Sequence, residues 1–280
     1  MSKFLLTMQY EEDIFLPIYL RHYLKYFSPE NIFVIDHGSS RNIVPQGINR
    51  IYIPRDRPFS EKSRLELIKN ISHGLLEYYD FGLYTDCDEL ISLEGVSDQA
   101  LMGNEITYVA GFEVFAAKTE NGSRLLGLIN PNECKPLIFN QIPAWTAGFH
   151  CSGAIPITLS IPLAHIRYID PAIARDRLKS RQKVYETLHA YEKGLMVDYH
   201  WSLGEQELNN FYQFLSTINW SQARLMTFQS VEFAQLFNIN PEGSRGPENE
   251  HLFAPKGDWK LFKNDFWDLS TYFPTLLANS

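Results

Sequence analysis

The chain has 280 residues, 45% of them hydrophobic, 14% aromatic and 21% charged, with a net charge of −8. That length and apolar content suffice for a sizeable core, and the charged fraction is that of a folded protein rather than a disordered one. The acidic balance excludes a general nucleic-acid binder, which shows a basic patch and a high pI, but not a small anion held by local basic residues.

Cys87, Cys134 and Cys151 are odd in number and widely spaced, without a CxxC pattern, which predicts a reduced, intracellular chain. The start, MSKFLLTMQYEEDIF, ends a short apolar stretch in three acids and lacks the basic n-region and long apolar core of a secretory signal. No run approaches the ~20 apolar residues that span a bilayer. The expectation is a cytoplasmic protein with no transmembrane segment, with peripheral docking at the inner membrane surface left open.

In chain order, KFLLTMQY (3–10) is a short apolar run suited to a buried strand. EEDIFLPIYLRHYLKYF (11–27) places Ile14, Ile18, Tyr19, His22 and Tyr26 at helical spacing behind acids at the favourable N-terminal end. NIFVIDHGSS (31–40) is a second strand running into a Gly/Ser turn, and NRIYIPRD (49–56) a third. Residues 60–79 read as a helix that Ser60 caps, with Leu65, Ile68, Ile71 and Leu75 on its apolar face. FGLYTDCDELI (81–91) is the fourth strand and its exit. Strands separated by helices of this length imply parallel βαβ units.

Beyond residue 95 the rhythm changes. Residues 106–117, 124–129, 135–140 and 161–169 look like strands without long helices between them. From Pro171 a basic helix is expected, then two more helical stretches to about residue 237, and turn formers over 240–259 predict a loop. The fold class is therefore α/β, a Rossmann-like mixed sheet flanked by helices over residues 1–170, with a mostly helical addition over 171–280.

In an open parallel sheet, ligands bind beyond the carboxyl ends of the strands. Two polar clusters fall there, DHGSS after the second strand and DCDE after the fourth. A carboxylate at such an edge must be paired, solvated or bound to a cation. Mg²⁺ and Mn²⁺ take carboxylate oxygens and share their other positions with waters and substrate phosphates. Aspartates at i and i+2, here Asp86 and Asp88, can divide that work, one reaching the metal and the other a ligand hydroxyl. A solvated acidic loop is the plain alternative.

The succession of strand, acid-led helix, strand ending in DHGSS, helix carrying KSRLELIKN, and strand ending in DCDE resembles the nucleotide-sugar-binding half of GT-A glycosyltransferases. The likeness is to family-2-type enzymes whose metal motif reads D-x-D-E followed by an apolar residue. It covers about residues 3–92 and continues more loosely to about residue 170. The resemblance implies a glycosyltransferase that moves a sugar from a UDP- or GDP-type donor to an acceptor hydroxyl with Mn²⁺ or Mg²⁺. The acceptor could be a glycan, a lipid-linked molecule or a small molecule. It implies that Asp88 ligates the metal, that Asp86 contacts ribose or metal, and that Glu89 is a supporting acid. Asp36 stands where such enzymes recognise the base, although His37 and Arg41 replace two aspartates of the family pattern. Tyr10 and Glu11 take the place of nucleoside contacts, and Lys62 and Arg64 lie within reach of the diphosphate. His165 is implied as a further metal or diphosphate contact, Lys135 as a phosphate support, and His150 with Trp145 as lining for the sugar pocket. For an inverting reaction, Glu113 and Asp170 are the acids available as base.

Two further enzymes share parts of this pattern. A Mg²⁺-dependent phosphatase of the haloacid-dehalogenase type also uses a strand-terminal D-x-D, but on an early strand and with Thr or Val where Leu90 stands. A nucleotidyltransferase would carry a Gly-rich basic loop where MQYEED stands. From another class, a non-catalytic nucleotide-sugar-binding protein would keep the same fold. ARDRLKSRQK (174–183) reads as a solvated helix face, or else as a seat for a phosphorylated acceptor or anionic lipid.

Overall fold

The computed structural model describes residues 1–56, 59–119, 122–130, 133–150, 158–186, 205–220, 224–229, 231–232 and 265–277. Strand β1 (Lys3–Gln9) leads to helix α1 (Phe15–Tyr23), then β2 (Ile32–Asp36), β3 (Asn49–Tyr52), helix α2 (Glu61–Leu76) and β4 (Phe81–Tyr84). Next come β5 (Glu89–Ile91), a short helix α3 (Asp98–Met102), β6 (Ile106–Tyr108), β7 (Ala110–Thr119), β8 (Gly122–Ile129) and β9 (Pro136–Phe139). The chain continues through β10 (Thr158–Leu159), β11 (Pro162–His165), α4 (Pro171–Glu186), α5 (Glu205–Ser216), β12 (Arg224–Thr227), β13 (Val231–Glu232), β14 (Asp265–Asp268) and α6 (Pro274–Leu277).

The strands form two mixed sheets flanked by helices, with β10 and β13 as a separate pair. The first sheet runs β3-β2-β1-β4-β9-β6. Its first four strands are mutually parallel, and β9 is antiparallel to both its neighbours. The chain leaves β1 on one side for β2 and β3, then returns to β4 on the other, so the strand order reverses between β1 and β4. Ligand crevices of open sheets form at such a reversal, because the loops leaving the two strands part in opposite directions. The second sheet runs β12-β14-β8-β7-β11-β5.

The expected helix 11–27 is shorter, because Glu11 adopts φ 51° and turns the chain before α1 begins. Ser60 caps α2 as anticipated, its side chain accepting from the Ser63 amide at 3.3 Å, and Ile68 is the fully buried residue on the face. The run 81–91 is two strands, β4 in the first sheet and β5 in the second, so residues 85–88 form the passage between sheets. The run 106–117 also divides: the Val109 amide bonds to Lys135 and the Ala110 amide to Ile161, which moves β7 to the second sheet.

Among its described residues the C-terminal part holds helices, as expected, and also strands that extend the second sheet. Besides α4 and α5, it supplies β14, which pairs antiparallel with β8, and β12, which pairs parallel with β14. A strand edge left by β8 needs backbone partners, and the chain supplies them itself. A second apolar cluster gathers Phe115, Leu126 and Leu128 with Phe211 of α5 and Phe266 of β14. The loop expected over 240–259 lies outside the described residues. Among the described residues no helix is long and apolar enough to cross a membrane.

Candidate functional site

β1 and β4 are parallel neighbours, so their carboxyl ends share one edge of the sheet at the point where the strand order reverses. Asp86 follows β4 and is half-buried. Its Oδ1 accepts from the Tyr84 hydroxyl at 2.8 Å, and Arg64 of α2 lies 3.3 Å away. Burial alone would raise this carboxyl, but Arg64 and then Lys135 hold it below the usual carboxylate range. Arg64 also pairs with Glu61 at 2.9 Å and stacks over the Phe149 ring at 4.8 Å. Two of the expected diphosphate and ribose contacts, Arg64 and Asp86, are thus brought together. Lys62, on the same helix, is exposed.

Asp88 is 1% exposed, and three cationic side chains converge on its Oδ2: Arg177 at 2.9 Å, Arg181 at 3.2 Å and His165 Nε2 at 3.4 Å. Burial opposes ionisation here, yet Arg177, His165 and Arg181 hold the carboxyl well below its ordinary value. Arg177 and Arg181 stand four apart on one face of α4. Arg177 also grips both oxygens of Glu12, just after β1, at 2.5 Å, and lies over the Phe15 ring. The basic stretch expected as a solvated face therefore lays α4 across that edge of the sheet; the signal for this was the i, i+4 spacing of two arginines opposite an acidic motif. The expected Mg²⁺ or Mn²⁺ does not fit beside Asp88 as these side chains stand, because an ion bound to Oδ2 would meet two guanidinium groups.

Glu89 points to the other side of the passage and pairs with Lys135 at 2.5 Å. Burial pushes its carboxyl up to about 7, with Lys135 opposing. Lys135 is itself buried and held by Glu89 and by Glu133 at 2.8 Å, so it is an internal counter-ion and not the phosphate support expected. Glu113 is likewise no free base. It is fully buried, with Arg167 bonded to both its oxygens and Asn130 donating to Oε1 at 3.0 Å. Asp170 caps α4, its Oδ1 accepting from the amides of Ala172 and Ile173 at 2.8 and 3.0 Å.

Asp36 is also satisfied internally. Arg50 donates twice to Oδ2, at 2.9 and 2.6 Å, and the Ser39 amide donates to Oδ1 at 3.0 Å. It shapes the rim without offering an open oxygen to a base. The exposed part of that rim is Tyr10, 39% accessible, with the Arg55 guanidinium 3.9 Å from its ring centre. Glu11 fixes the rim from the other loop, its Oε1 accepting from the Ser40 amide at 2.7 Å. Arg41 pairs with Asp13 at 2.5 Å, and His37 is half-buried, its pKa lowered by burial and by Arg55.

Trp145 belongs to the core, 3% exposed, its indole N–H donating to the Pro136 carbonyl at 2.9 Å. With Phe149 it packs against Tyr84, so it braces the residue that holds Asp86 and does not face a sugar pocket. His150 is half-buried and its ring lies against Gly148, where an added Cβ would stand 3.0 Å from the imidazole. The segment following it, Cys151 included, is outside the described residues.

Glu133 was not anticipated as a site residue. It sits in NPNECKP, a turn-former run that reads as plain loop, and it meets His165 Nδ1 at 3.3 Å while Glu113 meets the same nitrogen at 3.4 Å. Gly111 makes that approach possible: a Cβ there would lie 2.3 Å from the Glu133 carbonyl. His165 Nε2 lies 3.4 Å from Asp88 Oδ2, and its second nitrogen faces two glutamates. Burial alone would lower the imidazole's pKa, but Glu133 and Glu113 raise it well above the ordinary histidine range.

No protein-family model matches this chain, and no curated protein matches it.

Proposed function

We propose that this protein is a glycosyltransferase of GT-A type, which transfers a sugar from a nucleoside-diphosphate sugar to an acceptor hydroxyl. The observation that carries the reading is the placement of Asp86 and Asp88 at the carboxyl end of β4, beside β1, where the strand order reverses. That crevice suits a nucleotide, since polar loops from two strands diverge around it.

In this reading the nucleoside lies along the β1–β2 rim, against the open face of Tyr10, with Asp86 at the ribose. Of the arginines on Asp86 and Asp88, Arg64 and Arg181 keep 16% and 24% of their side chains exposed, against 13% for Arg177. They meet the negative charge that builds on the departing diphosphate, the electrostatic help that phosphate leaving groups require. Binding without transfer, by a non-catalytic nucleotide-sugar protein, uses the same crevice and is separated by the assay rather than by the geometry.

Calorimetric titration of UDP, GDP and their sugars, with and without Mn²⁺, tests the proposal. Asp86→Ala should weaken nucleotide binding about 10- to 100-fold, the effect of losing one hydrogen bond to a charged group. Nucleotide affinity that is absent in the native protein, or unchanged by this substitution, overturns the site. Tight binding without release of nucleoside diphosphate across an acceptor panel assigns the protein to the binder class.

A further inference from the structure

Beneath the crevice, Glu113 of β7, Glu133 before β9 and His165 at the end of β11 bring three ligand atoms within 4.8 Å of one another. All three residues are buried, at 0%, 6% and 4% exposure. His165 Nδ1 makes no hydrogen bond, although it is enclosed and lies 3.4 Å from Glu113 Oε1 and 3.3 Å from Glu133 Oε1. A buried ring nitrogen directed at two carboxylate oxygens without a hydrogen bond to either is the second observation that a cluster of acids alone would lack.

We propose that Glu113, Glu133 and His165 bind a transition-metal ion of the Zn²⁺ class, at a site separate from the Asp86–Asp88 pair. An ion bonded at about 2.0–2.1 Å to tetrahedral ligands holds them about 3.3–3.4 Å apart, which matches both separations at Nδ1. The donor set of one imidazole and two carboxylates suits Zn²⁺, Fe²⁺ or Co²⁺. Mg²⁺ keeps several waters and prefers all-oxygen surroundings, so an enclosed nitrogen-bearing site does not suit it.

The surroundings supply the outer partners of such a centre. His165 Nε2 faces Asp88 Oδ2 at 3.4 Å, the carboxylate–histidine–metal arrangement that fixes ring orientation. Lys135 holds Glu133 by Oε2 at 2.8 Å, leaving Oε1 toward the ion. Arg167 bonds to both oxygens of Glu113, so the ion shares Oε1 with Arg167 and displaces the Asn130 amide that donates to it at 3.0 Å. Glu89, Glu113 and Glu133 face Lys135, Arg167 and His165, so the ion takes the place of the proton on His165 Nδ1, while Asp88 is matched by the α4 arginines. The ion would tie β7, β11 and the turn before β9 together under the crevice floor.

Metal analysis of the full chain, purified without chelator or imidazole and without nucleotide, tests this independently of the transferase reading. About one Zn²⁺, Fe²⁺ or Co²⁺ per chain is expected, and at least about tenfold less in both Glu133→Gln and His165→Gln. Should those variants fail to fold, the native protein still decides. After removal of metal with dipicolinate, Co²⁺ should return a visible d–d spectrum, and Zn²⁺ should raise the melting temperature. A metal content near zero with no spectrum and no thermal shift overturns the proposal and leaves a protonated His165 between the glutamates. So does a metal content unchanged in both variants.

Discussion

His22 is a core residue with a titratable ring. It is fully buried in α1, and its Nε2 lies 2.8 Å from the Ile91 carbonyl, so Nε2 carries the hydrogen and donates. Burial lowers its pKa to about 4 from an ordinary value of 6.5, with the Ile91 bond opposing and Lys25 assisting. The folded state therefore resists a proton that the unfolded chain accepts below about pH 6.5. Stability from this residue is fully present above that pH and is lost as pH falls toward 4. Between pH 7 and pH 5 the loss is about 2 kcal/mol. Urea unfolding at those two pH values should show it in the native protein, and His22→Gln, which can still donate to Ile91, should flatten that part of the slope. An identical slope in both proteins would remove His22 as its source. Only the helical spacing of this histidine was legible in the sequence; that its ring would have no water to protonate it depends on Tyr23, Tyr26 and Phe273 closing around it.

Among elements, β7 and the 133–135 turn depend on a missing side chain. Because a Cβ on Gly111 would stand 2.3 Å from the backbone carbonyl carbon and oxygen of Glu133, Gly111→Ala cannot be absorbed by a side-chain rotation. The expected cost is about 1–3 kcal/mol, read as a melting temperature several degrees lower, with Glu133 and Lys135 pushed from their partners. A melting temperature within error of the native value would show that the turn does not pack as described. The four parallel strands were legible as short apolar runs, and α2 by its helical period and its Ser60 cap. Asp86 and Asp88 were legible as a pair because an apolar strand ran straight into them. The division of 81–91 and 106–117 between two sheets was not, since a change of hydrogen-bonding partner at Val109 leaves no mark in the alternation. Nor were the partners of the acids: Lys135, Arg167, Arg177 and Arg181 reach Glu89, Glu113 and Asp88 from 46 to 93 residues downstream in the chain.

At the scale of the molecule, the boundary suggested at residue 170 divides structures that depend on each other. Removing residues 171–280 takes away Arg177 and Arg181, leaving the buried Asp88 with His165 alone. Breaking a buried ion pair costs about 3–5 kcal/mol. The same cut opens the β8 edge and uncovers Phe115 and Leu126 where Phe211 and Phe266 had packed, at about 1.5–3 kcal/mol per large apolar side chain. Against a typical total of about 5–15 kcal/mol, those losses are enough to unfold the remainder. Residues 1–170 expressed alone should therefore lack a cooperative urea transition in far-ultraviolet circular dichroism. Trp145, packed beside Tyr84 and Phe149 in the intact protein, should emit in that fragment as a solvent-exposed indole. A sharp transition with buried Trp145 emission would mean that the first sheet folds alone and that α4 is a removable cover; on the proposed function, the same fragment would then bind nucleotide with Asp88 released from its arginines.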